Sequence, residues 1–243
     1  MELPLSRAQV STLIYLPSVD STNLELIRRL PDGLEEFTTV VSGEQTAGLG
    51  RLGRSWISEP GSSISMSVLL QPPRLELAQS LTLLVANSVH RALVKLTGSD
   101  QLSIKWPNDI LLAGKKVCGI LASLNQQSVI VGMGINLAKQ QGAPEHATAL
   151  SELGKFSFDQ VVAEILAELK AAYQGYVSSG DFSAELAYLE KSCSTIGQLV
   201  RAELPDGSAI TGQAVAISEA GHIVIQGDRR YELAAADVWH LRN

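Results

Sequence analysis

Residues 38–70 read TTVVSGEQTAGLGRLGRSWISEPGSSISMSVLL, and what flanks the glycines of this stretch decides the fold. Gly48-x-Gly50-x-x-Gly53 has the spacing of a dinucleotide-binding fingerprint. That fingerprint needs a strand running straight into its first glycine and a helix opening at its third. Thr38 to Val41 is a strand candidate, but the polar and small residues Ser42 to Thr46 separate it from Ala47 and Gly48. After Arg54 comes Ser55 to Gly61, with Pro60-Gly61 at its end, which starts no helix. Ser63 to Leu70 then alternates with period two, as a strand does. The loop therefore joins strand to strand, and a Rossmann unit is excluded. A P-loop is excluded as well, since G-x-x-x-x-G-K-[ST] occurs nowhere. What remains is a loop whose glycines let the backbone turn sharply and approach a ligand closely. Arg51 and Arg54 add permanent cations, which suits a small anion, above all a phosphate. Taken alone, the segment also reads as an ordinary surface loop.

The 243 residues are 45% hydrophobic and 18% charged, a globular composition with room for a large domain and a small one. A net charge of −6 argues against sequence-independent nucleic-acid binding. Cys118 and Cys193 have neither metal spacing nor a disulfide framework, and His90, His146, His222 and His240 are scattered, so no protein-held metal site is expected. Met1 to Pro4 lacks the basic and apolar segments of a signal peptide. The apolar stretch 77–97 carries Gln79, Asn87, His90, Arg91 and Lys95 and does not span a membrane. The expected location is a reducing cytoplasm.

Periodicity predicts helices over Leu24–Leu30, Leu77–Leu96, Ser157–Tyr176 and Ala184–Lys191. Thr22 and Glu25 have capping-box spacing before the first, and Gly98 closes the second. Strands are predicted at Leu13–Leu16, Leu102–Lys105, Ile110–Leu112, Val117–Leu124 and from Ser128 to Leu137, with Ala113 to Lys116 as a hairpin turn. From Ile196 the texture changes to short strands at Leu199–Leu204, Ala209–Ile217, His222–Gln226, Arg230–Leu233 and Val238–His240. Pro205-Asp206-Gly207, Glu219-Ala220-Gly221 and Gly227-Asp228 punctuate them, the pattern of a small barrel suited to docking or scaffolding.

Polar islands stand at the ends of these elements: Asp20–Asn23, Gln45–Arg54, Lys105–Asp109 and Gly132–Asn136. With Lys116-Val117-Cys118-Gly119-Ile120-Leu121 they follow the order and spacing of a known family, and on these segments the chain resembles the biotin protein ligases from about residue 15 to residue 243. The resemblance implies an α+β fold. Residues 1–192 would form a class II aminoacyl-tRNA synthetase-like catalytic domain, with a mixed or antiparallel sheet and helices. Residues 193–243 would form a small SH3-like β-barrel.

It also implies a two-step reaction: biotin and ATP give biotinyl-5′-AMP, and biotin then passes to a lysine of a biotin carboxyl carrier protein. Magnesium would accompany ATP. By this match Ser21, Thr22, Asn23, Gln45, Gly48, Leu49, Gly50, Arg51, Lys105, Gly119 and Leu121 would contact biotin. Arg51, Arg54, Trp56, Asn108 and Asn136 would serve ATP, the adenylate or its magnesium, with Lys105 and Arg51 as the catalytic pair. The family commonly has Arg or Lys where this chain has Leu49, which removes one cation and leaves backbone contacts. About 15 residues precede the first matching strand, too few for a helix-turn-helix, so the expectation is a ligase that binds no DNA and represses no transcription. Exposed β-edges allow a homodimer. A lipoate ligase or octanoyltransferase is the nearest rival, and the polar set Ser21, Thr22, Asn23 and Gln45 suits biotin's ureido ring better than a plain acyl tail. A non-catalytic biotin or adenylate sensor is the other rival, and Arg51 with Lys105 argues against it.

Overall fold

In chain order the elements are α1 (Pro4–Arg7), β1 (Leu13–Leu16), α2 (Thr22–Arg29), β2 (Thr39–Ser42), β3 (Ser63–Leu70), α3 (Leu81–Thr97), β4 (Leu102–Lys105), β5 (Asp109–Leu112), β6 (Lys115–Asn125), β7 (Ser128–Asn136), α4 (Phe158–Ser179) and α5 (Ser183–Ser192), then β8 (Leu199–Glu203), β9 (Ala209–Ile217), β10 (Ile223–Gln226), β11 (Arg230–Leu233) and β12 (Asp237–His240). They come from a computed structural model that describes residues 1–204, 207–234 and 236–241. Of the turn expected at Pro205-Asp206-Gly207, Pro205 and Asp206 lie outside the described residues.

The fold is α+β. Seven strands form one sheet in the order β1-β2-β3-β7-β6-β5-β4, in which β1–β2 is parallel and every other pair antiparallel. The parallel pair needs a crossover, and α2 supplies it. A second sheet, β11-β10-β9-β8-β12, is antiparallel throughout. Between β2 and β3 the glycine loop runs strand to strand, which bears out the exclusion of a Rossmann turn.

Local signals set most boundaries, with corrections. Ser21, not Thr22, caps α2, its Oγ accepting from Leu24 N at 3.5 Å, while Glu25 pairs with Arg28 and Arg29 instead of closing a capping box. The single helix expected over Leu77–Leu96 is a 3₁₀ turn, Leu75–Ser80, followed by α3, and Gly98 in the left-handed region ends it. Helix α4 runs past Tyr176 to Ser179, after a capping box of Ser157 and Gln160. In the β5–β6 hairpin Ala113 and Gly114 both have positive φ, as a two-residue turn requires.

The large sheet has two unlike faces. One packs Val68, Leu70, Ile104, Cys118, Ile120, Val131, Met133 and Ile135 against α3 and α4 in the main core. The other carries a small cluster under α2, formed by Leu26, Val40, Leu69 and Ile130, and beyond it mostly small or polar residues, with Leu121 among them. All eight residues of β3 are buried, so the serines of its alternation do not face open solvent.

The second sheet joins the same core through Val200, Ala202, Ala214, Ile223 and Val238. The buried Trp106 fixes the junction: its Nε1 donates to Gly221 O at 2.9 Å and its backbone N to Thr195 Oγ1 at 3.1 Å. No helix among the described residues is long and apolar enough to cross a membrane.

His90 pins β4 to the helices behind it. Its Nε2 lies 3.2 Å from Leu102 O, and its Nδ1 lies 2.8 Å from Tyr188 Oη. A carbonyl only accepts, so Nε2 carries the proton and Nδ1 receives the tyrosine hydroxyl. Burial holds the His90 pKa below the ordinary value of 6.5. The unfolded chain therefore binds the extra proton first on acidification, and stability falls as pH drops through about 6.5 toward the lower folded value. The urea midpoint is expected to decline below about pH 6.5, and His90→Gln is expected to flatten that slope. An identical slope in the variant would remove His90 as its source.

Candidate active site

A cavity of about 1030 Å³ opens on the small-residue face of the large sheet. Strand register builds its floor. One row across the sheet runs Lys105, Asp109, Gly119, Gly134, Ser65, and the next runs Leu121, Gly132, Ser67. Residues two apart share a face, so both rows lie on the cavity side of the sheet, and Lys105, Asp109, Gly119, Leu121, Gly132 and Gly134 line the cavity itself. A Cβ at Gly134 would lie 2.3 Å from Trp56 Cε2, and one at Gly132 would lie 2.3 Å from Asn23 Oδ1. The glycines make room there for a flat ring and for an amide.

One end of the cavity is polar. The start of α2 presents Ser21, Thr22 and Asn23. Gln45 Oε1 accepts from Thr22 N at 2.8 Å and from Thr22 Oγ1 at 3.1 Å. Ser67 Oγ lies 2.7 Å from Thr22 Oγ1 and 2.5 Å from Asn23 Oδ1, and Asn23 Nδ2 donates to Leu121 O at 3.3 Å. The first turn of a helix, a loop and two strands thus converge on one buried network.

The other end is cationic. Lys105 ends β4 with its Nζ 5.7 Å from the Trp239 ring centroid. Burial pushes its pKa below 10.5, with the Asp109 charge opposing that shift. The glycine loop forms a narrow hairpin: Gly50 N donates to Arg54 O at 2.7 Å, Trp56 N donates to Gly48 O at 2.9 Å, and a 3₁₀ turn, Arg51–Gly53, makes the tip. Arg51 donates to Asn108 Oδ1 and Ala236 O, both at 3.3 Å, and lies 3.7 Å from Asp237 Oδ1. Arg54 pairs with the same Asp237. Burial acts to lower the Arg51 pKa, and the Asp237 charge counters it. Trp56 lies over Gly119 and Gly134, its Nε1 buried with no partner among the described residues, and Lys116 Nζ stands 5.4 Å from its ring centroid. Asn136 donates to Thr148 O at 2.9 Å and accepts from Gln140 at 3.0 Å.

Of the residues singled out from sequence, Ser21, Thr22, Asn23, Gln45, Leu49, Gly50, Arg51, Arg54, Trp56, Lys105, Asn108, Gly119, Leu121 and Asn136 all line this cavity. Gly48 does not; it is packed against Trp56, where a Cβ would come 2.6 Å from the Trp56 carbonyl oxygen. Leu49 is 50% exposed at the rim and Leu52 is 72% exposed at the loop tip. Sequence reasoning missed Ser67, although the serine alternation of β3 marks its face. It also missed Asp237 and Trp239. No local signal in β12 announces them, and the expectation that the C-terminal strands serve only docking or scaffolding was too narrow, since Asp237 to His240 line the cavity.

A family model described as the biotin/lipoate A/B protein ligase family matches residues 15–138, just over half of the chain. The chain belongs to the biotin/lipoate A/B protein ligase family. Among curated relatives, the biotin–[acetyl-CoA-carboxylase] ligase of Mycobacterium tuberculosis is 33% identical, covering 91% of this chain and 86% of its own. The bifunctional ligase/repressor BirA of Bacillus subtilis is 34% identical, covering 88% of this chain and 69% of its own. A solved biotin protein ligase from Aquifex aeolicus, in complex with biotin and ATP, superposes with a TM-score of 0.84 at 31% identity, covering 96% of this chain and 100% of that one.

In this family member Asp237 ties both loop arginines to the C-terminal sheet. Asp237→Asn is expected to speed trypsin cleavage after Arg51 or Arg54 at least about threefold, because local opening exposes the loop. Unchanged cleavage kinetics would show that the ion pairs do not hold it.

Proposed function

We propose that the chain is a biotin protein ligase that joins biotin and ATP as biotinyl-5′-AMP and then transfers biotin to a lysine of a biotin carboxyl carrier protein. The observation that carries this reading is one cavity with a hydrogen-bonding end at Ser21, Thr22, Asn23 and Gln45, backed by the buried Ser67, and a cationic end at Arg51, Arg54 and Lys105. A ureido ring offers N–H donors and a carbonyl acceptor to the first end. A lipoyl or octanoyl tail offers that polar end no hydrogen-bonding partner of its own.

The chemistry needs no protein nucleophile. The biotin carboxylate attacks the α-phosphorus, pyrophosphate leaves, and the barrier is lowered by orientation and by positive charge. Lys105, poorly hydrated, would bond the carboxylate and then the acyl-phosphate oxygen. Arg51 would hold the adenylate, and Arg54, Trp56, Asn108 and Asn136 would serve ATP. The backbone of Gly48 to Arg51 would close over biotin, with Leu49 giving main-chain contacts only. Gly119 and Leu121 would wall the biotin pocket. Among the described residues no cluster of three or more His, Cys, Asp or Glu could cage a metal. Magnesium on a triphosphate keeps much of its water and needs few protein oxygens, a demand the Asn108 and Asn136 amides fit. It would neutralise phosphate charge. We read residues 1–192 as the class II synthetase-like catalytic unit and residues 193–243 as an SH3-like barrel, supported by the separate antiparallel sheet β8–β12.

The test is biotin-dependent pyrophosphate release followed by transfer of label to a carrier domain. Release and transfer with biotin but not with lipoate are expected. Turnover with lipoate alone would overturn the reading, and absence of both from folded protein would favour a sensor. In the same assay Lys105→Ala is expected to lower adenylate formation by more than about tenfold; near-normal rates would take Lys105 out of the mechanism. Arg51→Gly is expected to let adenylate escape and label bystander lysines. Selectivity equal to the parent's would contradict retention by Arg51.

A further inference from the structure

A second cavity, of about 590 Å³, lies behind the wall of the first. Arg51, Trp106, Pro107, Asn108, Ile120 and Leu121 line both. On its far side stand Thr82 and Leu83 from the first turn of α3, Ala122 of β6, and Gly221 and His222 from the β9–β10 turn. Resting on the ligase reading above, we propose that this cavity admits the acceptor's lysine side chain to the activated acyl group.

Three observations support the assignment. First, the second cavity shares with the first the wall of Arg51 and Asn108, residues assigned above to the adenylate and ATP, so it approaches that site from a second direction. Second, its chemistry suits a lysine: Leu83, Ile120 and Ala122 offer apolar surface to the methylene stem, and Arg51 waits at the inner end. Poor hydration and a nearby cation both disfavour the ammonium form, and transfer needs the neutral amine. Third, the passage depends on a missing side chain. Gly221 has a φ of +80°, and a Cβ there would lie 2.6 Å from Leu83 Cδ1, so any other residue would narrow the space between α3 and the second sheet. His222 and Glu232, paired at 3.2 Å, give this side a polar edge.

The step balances. The lysine ammonium first gives one proton to water. The amine lone pair then forms the C–N bond to the acyl carbon, the bond from that carbon to the phosphate oxygen breaks, and AMP leaves with the electron pair. The second N–H proton passes to water.

Thr82→Trp and Ala122→Trp fill the cavity from opposite walls, and neither position is itself assigned to adenylation. In the full chain both are expected to keep biotin-dependent pyrophosphate release within about twofold of the parent, which also reports folding. Single-turnover transfer from preformed adenylate is expected to fall more than about tenfold, both to a carrier domain and to n-butylamine, an amine too small to need a docking surface. Undiminished butylamine acylation would overturn the proposal, and loss of carrier transfer alone would make these positions part of a docking surface instead. If a tryptophan variant also loses pyrophosphate release, Thr82→Leu and Ala122→Leu are judged by the same two outcomes. A parent that releases no pyrophosphate would defeat the ligase reading, which is a different result.

Discussion

The site depends on one steric constraint: the face of β3, β7 and β6 opposite the main core has to stay nearly bare. Gly132 and Gly134 leave the space that Asn23 and Trp56 occupy, at distances no Cβ would permit, and Gly119 leaves a close fit for Trp56 and Lys116. The other face of the same strands is continuous Val, Ile and Met packed on α3 and α4. Strand pleating separates the two roles without compromise, because neighbouring residues point to opposite sides. A floor anchored by a large apolar core is rigid, and rigidity lets a few polar groups orient a ligand.

Polar groups gather at this floor because several chain segments end there. The α2 N-terminus, the glycine loop, the end of β4 and strand β12 are far apart in sequence, yet each reaches the cavity rim. Asp237 has a particular place among them. It gives Arg51 and Arg54 an anionic partner, so these cations need not stand unpaired beside Lys105. Both guanidinium groups are thereby held at the cavity rim by a single carboxylate. The junction held by Trp106 keeps that carboxylate in range, since it binds the β4–β5 connection to the second sheet.

Much of the fold was legible because the local signals agreed. Period-two alternation placed β3, Gly98 closed α3, and the turn read at Ala113 to Lys116 marked the β5–β6 hairpin. Most of the cavity residues were legible as well, since Asp20–Asn23, Gln45–Arg54 and Lys105–Asp109 are polar runs set at element ends. The misses have a common cause. Ser67 reads as the solvated side of an amphipathic strand, and only burial of all eight β3 residues turns it into part of a binding network. Thr22 looked like a helix cap by spacing, but the cap fell one residue earlier because Thr22 is engaged by Gln45.

By itself, the sequence determined the strand-loop-strand setting of the glycines, the mixture of helices and strands, the change at Ile196 to a run of short strands, and the cations at Arg51, Arg54 and Lys105. Those properties live in short windows, where periodicity, turn chemistry and charge are written directly. Only the tertiary structure decided that β1 and β2 pair in parallel, that Lys105, Asp109, Gly119, Gly134 and Ser65 share one row, and that β12 brings Asp237 and Trp239 to the loop arginines and to Lys105. Register and long-range docking are set by the summed burial of the whole core, and no local window contains that sum.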